Sequence, residues 1–283
     1  MAVSAYAYRM SAHILVTGED AADFLQSQFS NDLRPFSKGQ VTYGLWLDVK
    51  GKVIADSWVR CEGEAQFRIL SEHCPGREIA DKLDQHIVAD DVELEVLPAA
   101  PALTMIGPDG HDKGISFQGR RSLQPSCEVV FGSDAERDGV LSSGDYEIVS
   151  ENWIQKERIR AGIPLVPQEI GPADLPGEGG MENDALSFNK GCFLGQEVAA
   201  RMHNVGRAQR ALFVVTGSGD APTVPSSLQN AEGKAVGALR SAYARDAGWL
   251  GVAMLKIRHV EPGAGLLLED APVTVEGSLR KDS

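Results

Sequence analysis

Val41-Thr42-Tyr43-Gly44-Leu45-Trp46-Leu47-Asp48, followed across Val49-Lys50-Gly51-Lys52 by Val53-Ile54-Ala55-Asp56-Ser57-Trp58-Val59-Arg60-Cys61, is the stretch whose reading decides the fold class. Val41, Tyr43, Leu45 and Leu47 alternate with other residues, the period of a strand with one buried face. Lys50-Gly51 supplies a turn, and Val53–Cys61 then reads as a second strand paired back on the first. Glu62-Gly63-Glu64 turns the chain again into Ala65–Leu70. Upstream, His13–Thr17 reads as a strand, and Gly18-Glu19-Asp20 leads into a helix with Ala21, Phe24, Leu25 and Phe29 on one face. Downstream, Pro75 suits a first helical position, with Ile79, Ala80, Leu83 and Ile87 as the apolar stripe. Asp91–Leu97 alternates acids with Val92, Leu94 and Val96, a half-solvated strand. Strands joined by tight turns pair antiparallel, whereas parallel strands need a crossover of a dozen or more residues. The fold class is therefore α+β, with an antiparallel or mixed sheet rather than a doubly wound one.

Past Pro98 the pattern partly restarts. Leu103–Ile106 and Cys127–Phe131 read as strands and Tyr146–Arg160 as a helix. Ala161–Asn189 has no basic residue, five acids, four prolines and five glycines, a long irregular loop of the kind that is functional or disordered. From Ala211 onward the reading is all-β, with Leu212–Thr216, Lys234–Tyr243, Trp249–Leu255 and Pro272–Val275 separated by Gly, Pro and Asp. A small barrel is expected from about Arg210 to Gly277, giving a body over 1–207 and a barrel domain over 208–283.

The composition fits that division. The chain has 283 residues, enough for about two domains, and its 27 Lys+Arg against 40 Asp+Glu give a net charge of −13. Such an acidic balance argues against direct nucleic-acid binding and against an anionic membrane surface, which both want a basic footprint. No apolar run approaches the length of a membrane helix, and Met1–Thr17 lacks the basic start and apolar core of a signal peptide. Cys61, Cys74, Cys127 and Cys192 form no CxxC or regular framework, which points to a reducing cytoplasm and away from structural zinc or a metal site.

No phosphate-binding loop, dinucleotide fingerprint or nucleophile elbow is present, and the six histidines show no ligand spacing. The dense motif is Ser187-Phe188-Asn189-Lys190-Gly191-Cys192-Phe193-Leu194-Gly195-Gln196-Glu197. Gly191 and Gly195 let the backbone approach a ligand or another strand. A helix-like run, Gln196–Met202, follows, so Lys190 and that helix N-terminus are placed to favour a Cys192 thiolate. Glu197 and Arg201 are spaced to pair on the helix. On chemistry alone Cys192 reads equally as a reactive thiol or as a small packed residue in a tight turn. From Lys190 to Arg210, Lys190, Arg201, Arg207 and Arg210 against Glu197 leave a net +3, either an edge for an anionic ligand or a solvated helix face.

Lys190-Gly191-Cys192-Phe193-x-Gly195-Gln196-Glu197 resembles the K-G-C-[FY]-x-G-Q-E signature of the folate-binding YgfZ family, which is related to the aminomethyltransferase T-protein of glycine cleavage. Phe24-Leu25-Gln26-x-Gln28-x-Ser30-Asn31-Asp32-Leu33 is similar to the family's F-L-Q-x-Q-x-T-N-D-[VL] run. Leu47-Asp48-x-Lys50-Gly51-Lys52-Val53 through Ala55-Asp56 resembles its hairpin, with Val49 in place of a proline. Arg158-Ile159-x-x-Gly162-Ile163-Pro164 is similar to its R-[IL]-x-x-G-[IL]-P helix end. The resemblance implies two pseudo-symmetric α+β halves, about 1–98 and 99–207, around a central folate cavity, then a β-barrel. It implies tetrahydrofolate or another reduced folate as cofactor, held near Asn31, Tyr43 and the segment Gly191, Phe193, Gly195, Gln196, Glu197 and Arg201. It also implies functional roles for Cys192 and Lys190, and partners among iron–sulfur client enzymes or assembly proteins, with an indirect effect on tRNA modification.

Two departures bear on the activity. T-proteins commonly read R-L-E-A-G at the helix end, with the glutamate on the pterin ring, and Arg160 stands at that position here. Leu70-Ser71-Glu72-His73-Cys74-Pro75 does not reproduce the asparagine-rich segment leading to the T-protein's catalytic aspartate. Losing that base removes the group that poises the folate nitrogen for methylene transfer. A folate-binding factor, with weak catalysis at most, is thus favoured over a folate-dependent C1-transfer enzyme. A thiol redox sensor using Cys192 is the third reading, disfavoured by the absence of a nearby resolving cysteine in sequence.

Overall fold

A computed structural model describes residues 3–107, 114–144, 146–206, 208–260 and 265–280. The decisive stretch is a hairpin: β3 (Val41–Leu47) and β4 (Val53–Gly63) run antiparallel, with Tyr43 opposite Trp58 and Leu45 opposite Asp56. They open a five-stranded sheet ordered β3-β4-β5-β2-β6, completed by β5 (Gln66–Ser71), β2 (Ala12–Thr17) and β6 (Glu93–Val96), every pair antiparallel. Helices α1 (Ala21–Gln28) and α2 (Gly76–Asp84) turn Phe24, Leu25, Ile79, Ala80 and Leu83 into the core.

The second sheet is ordered β10-β1-β7-β9-β8, from β10 (Tyr146–Ile148), β1 (Val3–Met10), β7 (Ala100–Ile106), β9 (Ser126–Val130) and β8 (Ile115–Gln118). Here β1 pairs parallel with β10 and antiparallel with β7, so the sheet is mixed. The chain therefore starts in the second sheet and crosses to the first at Ser11, which a division at residue 98 does not separate. Tyr146–Arg160 is not one helix. Residues 146–148 extend to pair with β1, and α4 (Glu151–Arg160) begins only after Ser150, whose side chain accepts from the Trp153 N–H. Sheet pairing overrides local helix propensity at these three residues. A helix α3 (Asp134–Ser143), capped by Ser133 on the Glu136 N–H, lies where no helix is expected from the sequence.

A buried cluster joins the two sheets. Arg121 donates from Nε to Glu128 on β9 at 3.0 Å and from Nη1 to Glu72, beyond β5, at 2.7 Å. Tyr8 and Thr104 hydroxyls add bonds of 2.7 and 2.6 Å to the same Glu128 carboxylate.

Six strands close the barrel in the order β11-β14-β13-β12-β15-β16, the ring completed by pairing of β16 with β11. They are β11 (Arg210–Gly217), β12 (Ser226–Gln229), β13 (Ala235–Arg245), β14 (Gly248–Lys256), β15 (Gly265–Leu268) and β16 (Ala271–Ser278). Val215, Leu228, Leu239, Trp249 and Leu255 fill it.

The acid-rich loop clasps barrel to body. Glu169 holds Arg158 of α4, Asp174 holds Arg240 of β13, Glu178 holds Arg210 of β11, and Asp184 holds Arg120 and Arg280. Four of its five acids are thus neutralised by arginines from elsewhere in the chain, so the segment is an electrostatic strap rather than a loose loop. It contains a single 3-10 turn at Pro176–Gly179 and the short helix α5 (Glu182–Ala185), and the signature segment then leads into α6 (Gln196–Val205). Among the described residues no helix is long and apolar enough to cross a membrane, and no group of three or more His, Cys, Asp or Glu is placed to hold a metal ion.

Candidate functional site

The signature segment divides at Gly191, with the lysine turned inward and the thiol outward. Lys190 is 5% exposed, and its ammonium donates to the carbonyls of Phe29 at 2.6 Å and Asn31 at 2.8 Å. These carbonyls lie just past α1, where no further helical turn takes them up, so the lysine caps the chain as it leaves the helix. Burial lowers the Lys190 pKa to about 8, with Arg34 adding to the fall and Asp32 opposing it. Its hydrogen bonds run to these carbonyls, so the expected tuning of the Cys192 thiol by Lys190 finds no bond to carry it.

Asn31 continues the link inward. Its amide donates to the Tyr43 carbonyl at 2.8 Å and to that of Asp184 at 3.3 Å. Lys190, Asn31 and Tyr43 therefore come together, as the sequence motifs imply. Around Tyr43 the structure adds groups not singled out in the sequence. The Tyr43 hydroxyl donates to Asp56 at 2.8 Å, the Arg120 guanidinium lies 3.5 Å over the Tyr43 ring, and Trp58 and Phe117 extend the aromatic row at 5.4 and 5.3 Å. Burial pushes the Asp56 carboxyl above its ordinary range, although the Tyr43 hydrogen bond pulls the other way. Asp56 ends the hairpin run quoted above, so a signal for it existed. Arg120 and Asp184 had none, because contacts across the fold define them.

Cys192 lies exposed on an open pocket of about 450 Å³, walled by Ser27, Gln28, Val49, Phe193, Gly195 and Glu197 among others. Val49, at the hairpin turn, is 66% exposed there, an apolar residue in open view. Phe193 is buried and anchors the segment, with the Leu194 N–H donating to the Ser27 carbonyl at 3.0 Å. Gly195 takes φ +79° at the start of α6, and Gln196 accepts from the Phe193 N–H through its side chain at 3.3 Å. A Cβ on Gly195 would lie 2.5 Å from the Asp48 carbonyl oxygen, so this glycine exists for close packing of α6 on the β3–β4 turn. Cys61 and Cys74 are buried, and burial raises both thiols, Cys74 beyond the range of any ordinary thiol. An exposed sulfur beside an open pocket can meet a partner's reactive group; buried thiols of raised pKa cannot.

The net-positive run from Lys190 to Arg210 does not form one edge. Lys190 is inside, Arg210 is bound to Glu178 and Asp174, and Arg201 is exposed on α6 without the expected pairing to Glu197 among the described ion pairs. Arg207 lies outside the described residues. Arg160 also points to solvent, 66% exposed and paired with Glu157. It is the neighbouring Arg158 that is buried, against Glu169.

A Lys190→Met variant should lose about 1–3 kcal/mol of stability, because two buried carbonyls lose their donor. Its pH signature is specific. Below pH 8 the amine is charged in both folded and unfolded chains; between 8 and the ordinary value of 10.5 only the unfolded chain still holds the proton. Raising the pH through that window therefore stabilises the wild type relative to the variant. Urea titrations on both proteins across the window check this, and an unchanged gap contradicts it.

The family model described as GCVT N-terminal domain matches residues 2–112, and that described as CAF17, C-terminal beta-barrel domain matches residues 209–278. The tRNA-modifying protein YgfZ of Yersinia enterocolitica is 24% identical over 241 residues, covering 77% of this chain and 72% of that one. Its namesake from Escherichia coli is also 24% identical, over 224 residues, covering 72% of this chain and 68% of the relative. The chain is thus similar to these YgfZ proteins over about three quarters of its length. Its fold is that of the glycine cleavage system aminomethyltransferase T from Bartonella henselae, with a TM-score of 0.77 at 17% identity over 97% of this chain and 85% of that one. Lys190 and the exposed Cys192 share one segment, and Lys190 reaches across the fold through the Asn31 carbonyl to the link between Asn31 and Tyr43.

Proposed function

We propose that the chain binds a reduced folate, tetrahydrofolate or a close relative, in its body and supports assembly or repair of iron–sulfur clusters in client enzymes, affecting tRNA modification indirectly. The observation that carries this reading is the placement of Cys192, exposed on an open pocket and held there between the buried Lys190 and the close-packed Gly195. The residues present fit a folate in kind. Tyr43, Trp58 and Phe117 form a buried aromatic row of the chemistry on which a flat ring stacks. Arg120 and Arg280 both reach the carboxylate Asp184, and these two guanidinium groups are the ones that would meet a glutamyl tail. A folate would supply a one-carbon carrier there, and this chain's own residues would bind and orient it. Arg160, turned to solvent, is not placed to read a pterin, in keeping with a factor distinct from the aminomethyltransferases.

The test separates function from folding. Cys192 is exposed, so Cys192→Ala should shift the melting temperature by less than about 2 °C. The same variant should fail to restore iron–sulfur enzyme activity in cells lacking the protein. Full complementation by the folded variant rejects the role of the thiol. Calorimetric titration with tetrahydrofolate tests the ligand separately, and absence of heat at millimolar ligand rejects it.

A further inference from the structure

A second groove, of about 820 Å³, runs along the seam between body and barrel, with Leu175 of the acid-rich strap, Met202 of α6 and Ile257 after β14 in its lining. That volume lies within the range of small-molecule sites, about 300–1,000 Å³, and domain seams are favoured places for them. Its lining is chiefly apolar, and Ile257 is 42% exposed. Three cations reach it, and they are not equivalent. Arg210 is already taken by Glu178 at 2.9 Å and Asp174 at 3.2 Å. Lys256 and Arg258 pair with no carboxylate among the described residues, and Arg258 meets only the ring of His259 at 3.0 Å. Burial and the charges of Arg258, Lys234 and Lys256 all hold His259 below its ordinary pKa, with Glu232 alone opposing, so the local potential is positive.

Two cations without a carboxylate partner among the described residues thus stand beside an apolar floor, in a chain of net charge −13. A lysine offers a point charge and an arginine a planar fork, and together they suit a phosphate or carboxylate. We propose that this groove is a second ligand site that takes an amphipathic anion, its apolar body on Leu175, Met202 and Ile257 and its phosphate or carboxylate between Lys256 and Arg258. The site is separate from the Tyr43 region and from Cys192, and it does not depend on the folate reading.

Three probes of one shape test it by calorimetry on the full chain: 2-naphthyl phosphate, 2-naphthoate and neutral 2-naphthylmethanol. At least one anion should bind, and bind more tightly than the alcohol; which anion wins tells phosphate from carboxylate. In the double variant Lys256→Glu/Arg258→Glu the anion should weaken by at least about tenfold, as loss of charge-assisted bonds implies, while the alcohol is unaffected. Ile257→Ser should weaken all three probes together. Melting curves confirm that the variants are folded. The proposal is overturned if neither anion binds, if the alcohol binds as well as the anions, or if the charge-reversed variant holds the anion as tightly as the wild type.

Discussion

An Arg121→Met variant should lose about 3–5 kcal/mol of folding stability at neutral pH, the cost of leaving buried carboxylates without their cation. The methionine conserves most of the apolar volume of the arginine stem, so packing contributes little to the loss. What disappears is the joint between the sheets: the 3.0 Å bond to Glu128, the 2.7 Å bond to Glu72, and the guanidinium lying 4.4 Å over the Tyr8 ring. The pH dependence gives the signature. In the wild type burial alone would raise the Glu72 pKa, but the Arg121 charge, with His73, overrides it and brings the carboxyl down to about 2. A carboxylate with a depressed folded pKa contributes stability that is complete above its ordinary value of 4.5 and is lost as pH falls towards 2. In the variant the Arg121 charge, the largest opposing cause, is gone and only His73 still works against burial, so the Glu72 pKa should rise and the folded chain should take up a proton more readily. The stability gap between the two proteins should therefore narrow on acidification. Guanidinium titrations at neutral pH and near pH 4 measure both effects, and a gap that is small or constant contradicts the assignment.

That cluster also shows where sequence reading stops. The β3–β4 hairpin was legible because its strands alternate with period 2 and its turn contains Lys50-Gly51; both signals are local. The barrel was legible as a run of short β segments, but β12 and β15, four residues each, are too short to show a period. Strand β1 carried an alternation, Tyr6, Tyr8 and Met10 on one face, yet its partners begin about 100 residues later and its neighbouring strand β2 belongs to the other sheet. Residues 146–148 read as helix because the sequence alone does not reveal that β1 has a free edge to fill. Ser133, the cap of α3, followed three residues on by Glu136, is a helix-start signal of the ordinary kind, but the helix behind it buries only Val140 and so shows no apolar stripe.

The site divides the same way. The signature identifies Lys190, Cys192 and Gly195 by type and spacing, but not which way each side chain faces. Lysine beside cysteine suggests a tuned thiol. In the fold, the lysine instead answers the two carbonyls at the end of α1, some 160 residues earlier in the chain. The strap acids read as a charge run, and only their arginine partners on α4, β11 and β13 turn them into a clasp. Arg120 and Asp184 gain meaning only from each other and from the Tyr43 ring.

Gly195 and Gly191 form a matched pair in which one substitution should be severe and the other mild. Both have left-handed backbones, φ +79° and +97°, so an alanine at either costs about 1–2 kcal/mol for conformation alone. Beyond that they part. At Gly191 a Cβ meets nothing within 4 Å. At Gly195 it would lie 2.5 Å from the Asp48 carbonyl oxygen and 3.0 Å from the Gly51 Cα, both backbone atoms that no rotamer change can move. The Asp48 carbonyl is also fixed, since it accepts the Gly51 N–H at 2.9 Å within the hairpin turn. A Cβ on Gly51 would in turn lie 3.1 Å from the Gly195 carbonyl oxygen and from Val198 Cβ, so neither side has slack. Overpacking of this kind adds about 1–3 kcal/mol, and with the conformational cost Gly195→Ala should lose about 2–5 kcal/mol in all. Because Gly195 starts α6 and walls the Cys192 pocket, the same change should move Val49 away from the thiol and alter the rate at which Cys192 reacts with a soluble thiol reagent. Gly191→Ala should leave that rate within about twofold, the scale of its neighbours' undisturbed packing. Denaturant midpoints and thiol-labelling rates on the two variants decide the matter: equal stability losses, or labelling unchanged in Gly195→Ala, would show that the turn and the helix are not locked together as the geometry requires.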